Sequence, residues 1–194
     1  MRRALVLTLS LALLPAAAAD AKSPAKSSPQ ATGGQAYGEP NPATVQQTGG
    51  GKAKLLPSGL AAAPADAPDE VKDMITAANE IIGKPYVYGG GHDRRWGTRG
   101  RGYDCSGTIS YALHGAGDDM LDSPLDSSSF MKWGEAGVGD WVTVYTNPGH
   151  AFVVIAGLRL DTSASGDPSG NKGPRWRPAL RSTRGFKARH PEGF

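Results

Sequence analysis

The sequence predicts an α+β fold in which helices pack on one face of a small antiparallel sheet. Two segments, which begin near residues 69 and 105, carry apolar side chains at helical spacing. A later segment, residues 139–163, is rich in valine, alternates in polarity and contains two turn signals. Because the helices precede the strands instead of alternating with them, we expect helices and strands to form separate layers.

The first twenty residues have the three-part layout of a secretory signal peptide. Arg2 and Arg3 precede an apolar run over residues 4–14, and a string of alanines follows. We expect residues 1–19 to be removed by cleavage near Ala19. The apolar run is too short to span a bilayer, so the sequence predicts an exported protein with no membrane span, located in the periplasm, the cell envelope or the extracellular space.

Composition divides the rest of the chain into three parts. Residues 20–65 are rich in Ala, Pro, Gly, Ser and Gln, which predicts a disordered linker. Residues 66–165 carry the periodic segments of one small domain, and residues 166–194 form a basic C-terminal extension. The net charge of +3 does not indicate nucleic-acid binding. The extension has the charge to attract an anionic envelope polymer, but a solvated tail is the simpler interpretation.

The first helix is expected to begin behind Asp66 or Asp69 as its N-cap and to end at Gly83 and Pro85. Its apolar residues at helical spacing are Val71, Met74, Ile75, Ala78, Ile81 and Ile82. The segment that follows is rich in glycine and arginine and has no periodicity, which predicts a surface loop.

The second predicted helix starts close to Cys105, the only cysteine of the chain, and ends at Gly115 or Gly117. A thiol at a helix N-terminus lies beside unpaired backbone amides. These amides favour the thiolate and can hold the oxyanion that forms when it attacks a carbonyl group. Exported proteins rarely carry an unpaired cysteine. The pattern therefore predicts a nucleophile, with a buried inert thiol as the alternative.

Three antiparallel strands are predicted within residues 139–163. His150 opens the central strand, directly after the turn TNPG, and strand alternation puts it on the same face as Phe152 and Val154. We expect this face to pack on the helices and to direct the imidazole toward Cys105. His150 would then be the general base.

The next strand brings either Asp161 or Thr162 beside His150, where it would fix the tautomer of the imidazole. Asp161 is the better electrostatic partner, but a slip of one residue exchanges the faces of the two. No catalytic role is predicted for the remaining histidines, His92, His114 and His190. His92 is expected to be solvated in its glycine-rich loop, with an approach to the cleft as the alternative.

Four motifs occur in the order PYVYGGG, YDCSGTISYAL, GDWVTVY and GHAFVVIAG. Together they resemble the NlpC-type papain-like cysteine peptidases, which cleave peptide bonds in the stem peptides of bacterial peptidoglycan. The resemblance covers residues 71–163. It implies a papain-like fold with Cys105 as the nucleophile and His150 as the base.

The resemblance also implies three substrate-binding residues. Tyr86 matches a tyrosine that family members place in the active-site cleft. Asp104 and Ser106 match positions that in some members bind the free amine of the first alanine of the stem peptide, and N-capping of the helix is the alternative role for both. Family members usually have histidine or another polar residue as the third catalytic group, where this chain offers Asp161 or Thr162.

The sequence thus predicts an exported cysteine endopeptidase that hydrolyses amide bonds in peptidoglycan stem peptides through a Cys-His thiolate mechanism and an acyl-enzyme. The alternatives are a thiol amidase or acyltransferase on the same fold, or a non-catalytic cell-wall-binding module. No metal or organic cofactor is expected, because no cluster of histidines and carboxylates has ligand spacing. The bond cleaved and the oligomeric state stay open.

Overall fold

The computed structural model describes residues 47–48, 51–93, 96 and 101–194 of the 194-residue chain. The predicted signal peptide, residues 1–19, and most of the predicted linker lie outside the described residues. Within the described ranges, no helix is both long enough and apolar enough to cross a membrane.

The described residues form helices and short strands. The helices are α1 (Asp69–Ile81), α2 (Cys105–His114) and α3 (Ser127–Phe130). The strands are β1 (Gln47–Thr48), β2 (Lys54–Leu55), β3 (Ala61–Pro64), β4 (Glu135–Ala136), β5 (Val142–Asn147), β6 (His150–Ile155), β7 (Leu158–Asp161), β8 (Arg175–Arg177) and β9 (Lys187–His190). The combination of helices with small antiparallel sheets agrees with the predicted α+β class.

The first helix, α1, forms where the apolar periodicity predicts it. Its buried apolar residues are Val71, Met74, Ile75, Ala78 and Ile81. The prediction of Asp66 or Asp69 as N-cap is wrong: Pro68 takes that position, and no side chain caps the helix. Asp69 and Glu70 lie instead in the first turn, where carboxylates interact favourably with the helix dipole. Gly83 follows the helix with a φ of 89°, which glycine adopts without strain.

Six strands form one antiparallel sheet in the order β4-β9-β5-β6-β7-β8. The predicted meander of β5, β6 and β7 is confirmed. β8 and β9 come from beyond residue 165, where the sequence prediction ends the domain and begins a basic extension. They pair with β7 and β5, so residues of this extension complete the sheet on both sides of the meander.

The hydrophobic core lies between the two longer helices and one face of this sheet. Alternate residues of β6 belong to it, as expected for a strand with one face on a core. These residues are Ala151, Val153 and Ile155, and they share the core with Ile109, Ala112 and Leu113 of α2 and with Val71 and Ile75 of α1.

The opposite face of β6 carries His150, Phe152 and Val154. The Phe152 ring stacks on Tyr145 with 5.0 Å between ring centroids and meets Phe186 edge-on at 5.2 Å. The prediction that this face packs on the helices is therefore wrong. The segment between β8 and β9 covers it, so both faces of the sheet are buried there and alternation alone does not tell which of them meets the helices.

The segment before α1 is also part of the fold. β3 is buried along its whole length and pairs with β2 antiparallel and with β1 parallel. It packs against α1, and the Asn79 side chain bonds both the N–H and the carbonyl group of Ala61. Residues 54–64 thus depart from the predicted disordered linker, because their small alanines pack closely against the helix.

Candidate active site

The chain's single thiol lies at the start of α2. Cys105 is the first residue of this helix, and its side chain is free and half-buried. Asp104 is the N-cap: its Oδ1 accepts a hydrogen bond from the Gly107 N–H at 2.7 Å, and its carbonyl oxygen accepts one from Thr108 Oγ1 at 2.7 Å. A Cβ at position 107 would collide with the carbonyl oxygen of Gly90. Glycine at this position therefore lets the preceding loop lie directly against the helix start.

The imidazole of His150 lies at the beginning of β6, on a backbone held by the preceding turn. The Asn147 side chain accepts hydrogen bonds from the N–H groups of Gly149 and His150, both at 2.9 Å. The His150 side chain is 21% exposed, and its Nε2 lies 2.9 Å from Asp161 Oδ1. Because Asp161 occupies Nε2, Nδ1 is the ring nitrogen that remains for the thiol of Cys105.

The surroundings of His150 favour its protonated form. Burial lowers the pKa of the imidazole, but hydrogen bonding to Asp161 and to Cys105, together with the charges of both groups, raises it to about 9. The imidazolium is therefore the main form at neutral pH. His150 is the first residue of β6 and interacts with Cys105, although its face of the sheet points away from the helices.

The sheet register decides which of the two predicted orienting residues lies beside His150. Arg159 of β7 pairs with Val154 of β6. Alternation along β7 then puts Asp161 on the face of His150 and Thr162 on the other face. The structure therefore brings the Asp161 carboxylate, and not the Thr162 hydroxyl, to the imidazole.

Tyr86 lies in the loop between α1 and α2, where it forms an isolated parallel bridge with Tyr103. Burial raises the pKa of its phenol, and the charges of Cys105 and Asp104 raise it further. The Tyr86 side chain is nevertheless 42% exposed, and the neighbouring Tyr88 is 90% exposed. The loop before α2 therefore presents two tyrosine side chains to solvent.

Asp104 and Ser106 contact each other and His92. Ser106 Oγ donates to Asp104 Oδ1 at 3.2 Å, and His92 Nε2 lies 3.0 Å from the same oxygen. The expectation that His92 is solvated is therefore wrong, because a glycine-rich loop has no periodicity from which this contact is predictable. Asp104 Oδ2 also accepts a hydrogen bond from the Gly89 N–H at 3.0 Å. Asp104 thus caps α2 and presents its carboxylate to an imidazole as well.

The pKa values of His92 and Asp104 shift in opposite directions, upward for His92 and downward for Asp104. The hydrogen bond to Asp104 raises the pKa of His92, although partial burial opposes it. Burial alone would raise the pKa of Asp104, but the hydrogen bonds from His92 and from two backbone N–H groups lower it. Both shifts favour the ion pair of a charged Asp104 carboxylate with a protonated His92.

Two residues near His150 were not predicted from the sequence. Arg181 Nη1 lies 3.3 Å from Asp161 Oδ2, and the Phe186 ring meets the His150 ring edge-on with 6.3 Å between centroids. Both residues belong to the predicted basic extension. They lie between two short strands, where neither a motif nor a periodic pattern marks them.

No protein-family model matches the chain, and a search of the curated proteins finds no match. Among the side chains that the structure describes, no group of three or more His, Cys, Asp or Glu residues is arranged to hold a metal ion. A function is therefore inferred from the chemistry of Cys105, His150 and Asp161 and of the residues around them.

Proposed function

We propose that the protein is an exported cysteine endopeptidase with a papain-like fold that hydrolyses amide bonds in peptidoglycan stem peptides. The observation that carries this proposal is the contact of His150 Nε2 with the buried Asp161 carboxylate at 2.9 Å, on an imidazole that also interacts electrostatically with Cys105 at the start of α2. A thiol, an imidazole and an orienting carboxylate supply the nucleophile, the proton carrier and the tautomer control that amide cleavage through an acyl-enzyme requires. The four motifs that resemble NlpC-type peptidases support the substrate class.

In the proposed reaction, the Cys105 thiolate attacks the carbonyl carbon of the amide, and backbone N–H groups at the start of α2 hold the oxyanion. The C–N bond breaks as the His150 imidazolium gives its proton to the leaving amine. A water molecule then attacks the thioester and gives a proton to His150, which releases the carboxylic product and restores the thiolate. Asp161 holds Nε2 throughout, so that Nδ1 faces the reacting atoms.

The loop before α2 supplies groups for the substrate in this proposal. Tyr86 lines the cleft beside the thiol, and Asp104 with Ser106 receives the free amine of the stem peptide. The contact with His92 supports this role, because a carboxylate that accepts a hydrogen bond from an imidazole N–H is also able to accept one from an ammonium group. Binding of the amine then requires His92 to give up at least one of its contacts with Asp104.

Digestion of purified peptidoglycan tests the proposal. The exported protein is incubated with the polymer, and the released fragments are identified by mass spectrometry. Because the chain has one cysteine, the same protein alkylated with iodoacetamide is a control modified at a single thiol. We expect only the unmodified protein to release fragments, with the cleaved amide inside the stem peptide.

Other outcomes distinguish the alternatives. Fragments from both preparations, or cleavage of the glycan strands, would refute the thiol mechanism. Cleavage or transfer at another amide or ester would indicate the thiol amidase or acyltransferase. Sedimentation of both preparations with the cell wall, without released fragments, would indicate the non-catalytic binding module.

The rate of hydrolysis is expected to fall as the pH rises through about 9, the raised pKa of His150. The imidazolium pairs with the thiolate and gives its proton to the leaving amine. Because the pKa lies above the ordinary value, this form is complete well below pH 9 and is lost above it. The measurement is kcat/KM as a function of pH. An alkaline limb near about pH 6.5, the value of an unperturbed histidine, would contradict the assigned contacts.

A further inference from the structure

The two oxygens of the buried Asp161 carboxylate have different partners. Oδ1 faces His150 Nε2 at 2.9 Å and accepts a hydrogen bond from the Ser163 N–H at 2.8 Å. Oδ2 accepts a hydrogen bond from Arg181 Nη1 at 3.3 Å. The Asp161 side chain has no solvent exposure, so water does not replace a lost donor without entering the protein. Arg181 therefore supplies the hydrogen-bond donor that Asp161 Oδ2 requires.

The neighbouring arginines do not substitute for Arg181. Arg159 Nε lies 3.8 Å from Asp161 Oδ2, which is too long for a hydrogen bond, and its Nη2 donates to the Ser165 carbonyl at 2.8 Å. Arg177 Nε donates to the main-chain carbonyl of Asp161 at 3.1 Å, and its remaining contacts lie in the loop before β8. Neither guanidinium reaches the carboxylate oxygen that Arg181 bonds.

The Arg181 guanidinium is itself held in place by aromatic rings. Its carbon Cζ lies 5.4 Å from the ring centroids of both Phe152 and Phe186. These distances are those of a cation–π contact. Since Phe186 also meets the His150 ring edge-on, the same aromatic cluster supports the imidazole and the arginine.

We propose that Arg181 is a positioning residue of the active site, which holds Asp161 Oδ2 so that Oδ1 stays on His150. This inference rests on the proposed function. Without Arg181, the carboxylate turns toward Arg159, and its hydrogen bond with the imidazole is weakened. The charged or ionisable groups on the elements packed around the pair are Arg159 from β7, Arg175 and Arg177 from β8, Arg181 from the segment after β8, and Cys105 from α2.

Two effects on His150 oppose each other when Arg181 is replaced by methionine. Loss of the positive charge favours the imidazolium, whereas loss of the hydrogen bond that His150 Nε2 donates to Oδ1 disfavours it. Arg181 is 18% exposed and does not touch the imidazole, so its direct charge effect is weaker than that of a hydrogen bond to a buried carboxylate. The midpoint of the His150 titration is therefore expected to move down.

The variant Arg181→Met keeps an apolar chain between the two phenylalanine rings and removes the donor. We expect kcat to fall about 10-fold with little change in KM. We also expect the His150 titration, followed by NMR on the full chain, to move down by about one pH unit. Arg181→Lys keeps a cationic donor and should show a smaller shift. Arg184→Met removes an exposed arginine of the same segment and should leave both measurements unchanged.

A His150 titration in Arg181→Met that matches that of the wild type, or that moves up, would overturn the proposal. If Arg181→Met does not fold, Arg181→Lys decides: a lowered midpoint supports the proposal, and an unchanged midpoint overturns it. The titration needs no substrate. Failure of the wild-type protein to digest peptidoglycan would therefore count against the proposed function and is distinguishable from failure of the role assigned to Arg181.

Discussion

Replacing Cys105 with alanine is expected to lower the rate of peptidoglycan hydrolysis by about 10⁴-fold or more. The variant lacks the atom that forms the acyl-enzyme, and the chain has no second cysteine to replace it. The helix should still begin at residue 105, because the Asp104 carboxylate caps it through the Gly107 N–H. Release of stem-peptide fragments measures the rate, and circular dichroism with thermal melting checks that the fold is intact.

Cys105→Ser is the matched control for the size and position of the side chain. A hydroxyl group is far harder to ionise than a thiol, so the serine variant is expected to be nearly as inactive as the alanine variant. An alanine variant that keeps more than about a tenth of the wild-type rate would contradict the nucleophilic role of Cys105.

Two histidine–aspartate pairs flank this thiol, and their contacts differ. His92 Nε2 contacts both Asp104 and Ser106, so this ring nitrogen is shared between two groups of the helix start. His150 Nε2 faces one carboxylate, and the imidazole also interacts with Cys105. Both pairs use Nε2 of the imidazole, and the interaction with Cys105 is what distinguishes His150, which is why we assign the base to it.

The parts of the fold that the sequence predicted are those with one buried face or a strong alternating pattern. α1 has apolar residues at helical spacing, and all of those inside the helix are buried. The meander has apolar strands of four to six residues, the first two rich in valine, joined by tight turns. In both cases a local pattern was enough to predict the element, because the spacing of its apolar residues is visible without knowing which part of the chain covers them.

β8 and β9 could not be predicted in this way, because their sequences are RWR and KARH. Arginine is normally an exposed residue, yet Arg159 and Arg177 are fully buried. Arg177 pairs with Asp167 and donates to main-chain carbonyl groups, which offsets the cost of burying its charge. Asp161 is the last residue of β7, and the other partners, Asp167 and Asn171, lie in the loop between β7 and β8, so all of these contacts need the assembled sheet.

The same distinction between local patterns and long-range contacts applies to the candidate site. The placement of Cys105 beside Asp104 follows from adjacent residues in a helix start, which a short motif describes. The choice of Asp161 over Thr162 depends on the pairing of two strands, and one residue of slip would reverse it. Contacts that join separate segments, such as that of Arg181 with Asp161, need the three-dimensional structure.

Replacing Asn79 with alanine is expected to lower the free energy of unfolding by about 4 kcal/mol. Asn79 is buried on α1, where its Oδ1 accepts hydrogen bonds from the Ala61 N–H at 2.9 Å and from Trp176 Nε1 at 2.8 Å. Its Nδ2 donates to the Ala61 carbonyl at 2.9 Å. Alanine leaves three polar groups without these partners, and each unsatisfied buried group costs about 1–3 kcal/mol. Urea unfolding followed by tryptophan fluorescence measures the loss.

Thr76→Ala on the same helix is the matched control. Thr76 Oγ1 bonds the Lys72 carbonyl within α1 at 2.9 Å, and its loss is expected to change the unfolding free energy by less than about 0.5 kcal/mol. A loss below about 1 kcal/mol for Asn79→Ala would mean that water reaches the three groups and that β3 separates easily from α1. A loss near the expected value would instead make β3 part of the cooperative unit. Because Asn79 also bonds Trp176 of β8, the strand paired with β7, its loss loosens support for the strand that carries the Asp161 carboxylate.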